Sequence, residues 1–90
     1  MSKISERNIN KIKENIIRIL YDEYPQAVFS THISKLEARD HEFILKLLKE
    51  LENSGIVKSI TKSRLGKQYI ERKRWMLSNE VYEKYKELIQ

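Results

Sequence analysis

Apolar side chains in this chain keep a helical spacing up to Gly55 and an extended one just beyond it, so the order of elements can be read from the change of period. From Asn8 to Tyr24 they fall at Ile9, Ile12, Ile16, Ile19, Leu20 and Tyr24, one face of a first helix. Pro25 ends it, because the residue before a proline is driven out of the α region. The following "AVFS" predicts one short strand. Ser30 and Thr31 offer side-chain oxygens to the free amides of a helix start, and Ile33 and Leu36 come next, which predicts a short second helix near residues 31 to 37. A turn at "ARD" leads into a third helix with Asp40 as its N-cap and Phe43, Ile44, Leu47, Leu48 and Leu51 as its buried stripe. Gly55 suits a left-handed cap at the far end.

Past Gly55, "IVKSIT" and "QYIERKRWMLS" flank a turn around Leu65 and Gly66, the pattern of a β-hairpin. Ser78 then caps a last helix whose apolar residues are Val81, Tyr82, Tyr85, Leu88 and Ile89. The order is helix, short strand, helix, helix, hairpin, helix: a mainly α chain with a small β-hairpin (α+β). With 90 residues there is apolar material for one core, so residues 1–90 are expected to form one domain.

Composition removes several classes of chemistry. There is no cysteine, which excludes disulfides, thiolate metal sites and thiol nucleophiles. His32 and His41 are the only histidines, nine residues apart on different helices, with no carboxylate spacing that would complete a metal site or a triad. Two glycines in all leave no phosphate-cradling loop. An enzyme is not expected, nor a cofactor or metal. No apolar run is long enough to span a bilayer and the N-terminus has no signal-peptide core, so the expected location is the cytoplasm.

Charge adds a direction. The formal net charge is +5, yet residues 56 to 77 alone hold seven Lys or Arg against Glu71, and the rest of the chain nets −1. The excess is concentrated in "KSRLGKQYIERKRW", residues 62 to 75, which points to an anionic partner met at one place. Lys62, Arg64 and Lys67 flank the predicted turn. Arg72 and Arg74 share one face of the returning strand, and Trp75 and Leu77 the other, which assigns Trp75 to the core. Tyr69 suits either core or base stacking, and Leu65 at the tip has no core to reach.

Two short helices joined by a tight turn and followed by a basic hairpin form a winged helix-turn-helix arrangement. The run "HISKLEARDHEFILKLLKELENSGIVKSI" also resembles the core of winged helix-turn-helix regulators, the family of many small bacterial and archaeal transcription factors. Ile33, Ile44, Leu51 and Gly55 stand in that family's apolar and wing-opening positions, and "RWMLS" looks like its wing-closing motif. One departure is Ala38, where a Gly is often found; an ordinary helical turn accommodates it. The resemblance implies a DNA-binding transcriptional regulator with its third helix, about residues 40–54, in the major groove and its wing, about 56–77, on the phosphate backbone or minor groove.

With the core stripe removed, His41, Glu42, Leu45, Lys46 and Lys49 are the third-helix positions left to face double-stranded DNA, and Lys62, Arg64, Lys67, Arg72 and Arg74 are the wing candidates. Alternating charge on the third helix is equally the pattern of a solvated face. Tyr82, Tyr85, Leu88 and Ile89 supply more apolar area than so small a core needs and are candidates for a homodimer interface. Two other partners fit the same features: a protein in a larger assembly, since the third helix is not strongly basic, or RNA held by the basic hairpin.

Overall fold

The computed structural model of the protein describes residues 5–60 and 73–89, with the side chain of the last of these outside the description. Helix α1 spans Glu6–Glu23, strand β1 Val28–Phe29, helix α2 Ser30–Glu37, helix α3 His41–Asn53, strand β2 Val57–Ile60, strand β3 Arg74–Leu77 and helix α4 Asn79–Ile89. This is the predicted order, with α1 longer at its N-terminus because Ser5 caps it through its side chain to the amide of Asn8. The predicted turn around Leu65 and Gly66 lies outside the described residues.

The two hairpin strands and the short strand form one antiparallel sheet in the order β1-β3-β2. Pairing sets Val28 opposite Trp75 on one side of β3, and Val57 opposite Leu77 and Ser59 opposite Trp75 on the other. Trp75 and Leu77 point into the core and are completely buried. Alternation puts Met76 on the opposite face with Arg74, yet Met76 is only 7% exposed, so that face is not simply solvated at its centre.

Against this sheet pack the apolar stripes of α1 (Ile12, Ile16, Leu20) and α3 (Ile44, Leu47, Leu48, Leu51), with Ile33 of α2 between them. Phe43, placed in the same stripe by its spacing, is half-buried at the margin. Every one of these is the residue that a three-or-four step selects. Burial of each large aliphatic side chain contributes about 1.5–3 kcal/mol.

Capping fixes where the helices stop. Asp40 Oδ2 accepts the amide of Phe43 at the start of α3. At its end, Gly55 has φ 81°, and the amides of Gly55 and Ile56 return to the carbonyls of Glu52 and Leu51, a complete Schellman motif. Helix α2 corrects the sequence reading at both of its ends. First, Ser30 and Thr31 do not cap α2: the N-cap is Phe29, without a side-chain bond, because the helix starts straight out of β1 and Ser30 is already inside it. Second, Ala38 does not sit in an ordinary helical turn. Its φ of 54° and ψ of 43° are left-handed, and the amides of Ala38 and Arg39 close on the carbonyls of Lys35 and Ser34 in a second Schellman motif. A side chain in that conformation costs about 1–2 kcal/mol. Ala38→Gly relieves it, less the entropy glycine loses on folding, and is expected to raise unfolding free energy by about 1 kcal/mol in urea melts.

Candidate nucleic-acid interface

The outward side of α3 is fixed by what its inner side buries. Because Ile44, Leu47, Leu48 and Leu51 are locked in the core, rotation of the helix is determined. Glu42, Leu45, Lys46, Lys49, Glu50 and Asn53 then line a shallow surface groove of about 430 Å³. Glu42, Lys46, Lys49 and Asn53 are exposed, while Leu45 is half-buried against the core. Four of the five predicted third-helix positions are thereby brought onto one face. Asn53 was missed, although its place four residues after Lys49 continues the same exposed row.

His41 is not part of that groove. Its Nε2 lies 2.8 Å from Oγ of Ser30, a residue only 6% exposed, so the ring is turned back to tie the start of α3 to the start of α2. His32 is exposed.

Electrostatically the face is sorted rather than uniformly basic. Glu50 is bound by Lys13 of α1 at 2.8 Å, and that hydrogen bond, helped by the charges of Lys13 and Lys46, holds its carboxyl below the usual range. Glu52 accepts the hydroxyl of Ser59 at 2.8 Å. The ammonium groups of Lys46 and Lys49 stay available on the open side. Both carry three donors on flexible stems, suited to phosphate oxygens or guanine edges.

Of the wing candidates, Arg74 is described: it is exposed on β3 with its guanidinium 4.8 Å above the ring of Phe29, which aligns it along the sheet surface. Lys62, Arg64, Lys67 and Arg72, with Leu65 and Tyr69, lie outside the described residues. Among the described residues there is no cluster of three metal-ligating side chains, and no helix is long and apolar enough to cross a membrane.

The dimer candidates divide. Tyr82 stacks on Tyr24 with ring centroids 3.8 Å apart and on Tyr21 at 5.1 Å, and Tyr85 meets Tyr21 at 5.0 Å. Tyr24 further hydrogen-bonds Asn79 through its hydroxyl. These tyrosines bind α4 to the end of α1 within the chain. Leu88 remains 81% exposed. It borders an open groove of about 540 Å³ between α1 and α4, where Ile17, Ile56, Val81 and Tyr85 supply apolar surface and Glu14 and Lys84 supply charge. The side chain of Ile89 is outside the description.

Helix-turn-helix α2–α3, the sheet that carries a hairpin beside it, and the flanking α1 and α4 together define a winged helix-turn-helix fold. The same fold is found in solved structures of MepR from S. aureus and ZitR from Lactococcus lactis. A MepR mutant superposes with a TM-score of 0.68 at 16% identity, over 81% of this chain and 50% of that one. A ZitR mutant gives 0.68 at 18% identity, over 99% and 56%. A second MepR mutant, solved bound to an oligodeoxyribonucleotide, gives 0.60 at 14% identity, over 93% and 69%. The chain thus spans about half the length of the first two. No protein-family model matches the sequence, and no curated protein is similar to it.

Proposed function

We propose that the protein binds double-stranded DNA as a transcriptional regulator in the cytoplasm, as a binding protein rather than an enzyme. The observation that carries this is the orientation of α3, whose core contacts leave Lys46, Lys49, Glu42 and Asn53 together on one open, solvent-facing side of the helix. A helix about 10–12 Å across fits the B-DNA major groove, about 12 Å wide. The fold shared with a MepR mutant bound to an oligodeoxyribonucleotide supports the same partner. The two lysines are matched to guanine or phosphate and Asn53, at the C-terminal end of α3, to phosphate oxygens, while the basic segment of residues 56–77 would hold the backbone alongside.

A homodimer would double these contacts and place two α3 helices about one helical turn apart on a palindromic site. Since Tyr82 is stacked on Tyr21 and Tyr24, the surface that would serve the dimer is the groove bordered by Ile17, Val81, Tyr85 and Leu88.

Duplex binding measured by fluorescence anisotropy across a salt series tests the assignment. Log affinity should fall linearly with log salt, with a slope of about −0.9 per phosphate neutralised. Absence of binding to any duplex at low salt, with capture of structured RNA in its place, would reject DNA as the partner.

A further inference from the structure

Helix α3 and its cap carry four carboxylates, and three are occupied. Asp40 caps the amide of Phe43, Glu50 is held by Lys13 and Glu52 by Ser59. Glu42 has no hydrogen-bond or ion-pair partner among the described residues. It is exposed in the first turn, on the same groove as Lys46 and Lys49. A carboxylate held out beside two lysines repels phosphate, so general affinity for duplexes does not account for it. Support of the helix dipole needs an acid only somewhere in the first turn, and does not select the groove-facing side.

Resting on the DNA-binding assignment above, we propose that Glu42 is a specificity-determining residue that accepts a hydrogen bond from the N4 amine of a cytosine in the major groove. An ionised carboxylate is acceptor-only. Guanine shows it two acceptors and thymine an acceptor and a methyl group. Adenine has an amine donor but sets the N7 acceptor beside it, which repels the second carboxylate oxygen, whereas cytosine shows its donor with no acceptor of its own alongside. Residues near the N-terminus of a helix in the groove are the ones that reach base edges. The tethering of Glu50 and Glu52 sharpens the effect, because it removes the competing carboxylates and leaves one acid facing outward. Specificity then arises from repulsion at the wrong base pairs as much as from attraction at the right one.

The test selects bound duplexes from a random pool with the parent, Glu42→Gln and Glu42→Ala, all checked for an unchanged melting transition. The parent is expected to select a C·G pair at one position of each bound site, with at least about tenfold loss when that pair is replaced. Glu42→Gln should move the preference at that pair alone towards adenine, and Glu42→Ala should erase it. Both should bind random duplex more tightly than the parent does. The same preference at every position in all three proteins overturns the proposal while leaving DNA binding intact. A parent that binds no duplex overturns the DNA assignment first, and the role of Glu42 with it.

Discussion

Trp75→Ala is expected to remove about 3–5 kcal/mol of stability, the cost of deleting a large aromatic from a packed core. Trp75 is 0% exposed and sits in the middle strand, facing Val28 on one side and Ser59 on the other. Total stabilities of small domains are about 5–15 kcal/mol, so the variant loses a large part of what holds it folded. The indole N–H has no hydrogen-bond partner among the described residues. Leaving a donor buried in that way costs about 1–3 kcal/mol. Trp75→Phe keeps much of the ring and deletes the donor, so its loss should be far smaller than that of the alanine variant. Chemical melts followed by circular dichroism read both. Equal losses for Phe and Ala would mean that the indole nitrogen is satisfied and that its bond, not ring volume, dominates.

Lys46→Glu together with Lys49→Glu should abolish useful duplex affinity while leaving the fold in place. Both side chains are exposed, and neither belongs to the core cluster. Each lost phosphate contact lowers affinity by roughly one order of magnitude near 0.1 M salt, so two losses predict at least about a hundredfold weakening and a salt slope shallower by about two. Charge reversal adds to this, because the new carboxylates join Glu42 on the same groove. Binding unchanged in the double variant, with an unchanged melting curve, would show that α3 does not face the nucleic acid.

The fold was legible wherever a local rule decides the outcome. The stripe of Ile12, Ile16 and Leu20, the Asp40 cap, the stop at Gly55 and the Ser78 start each depend on residues within one or two turns. What stayed hidden depends on partners distant in sequence. Ser30 resembled a cap until His41 was brought beside it, and Tyr82 resembled free interface until Tyr24 met its ring. The left-handed turn at Ala38 was concealed because its residue type argues against that conformation; only the closure of Arg39 onto Ser34 reveals it. The site followed the same division. Core spacing left Glu42, Leu45, Lys46 and Lys49 facing outward, and Asn53 was available to the same logic, but the withdrawal of His41 was not.

Strand β3 has a further consequence, for how the molecule is made. It lies between β1 and β2, so the sheet needs a strand encoded near the end of the chain to join one encoded near the beginning. Until residue 77 has left the ribosome, α1 and α3 have neither Trp75 nor Leu77 to cover their apolar faces. Pairing across such a separation must cross the entropy of closing a long loop before any contact rewards it. Addition of β3 is therefore what joins β1 to β2 in one sheet and closes the core over α1 and α3.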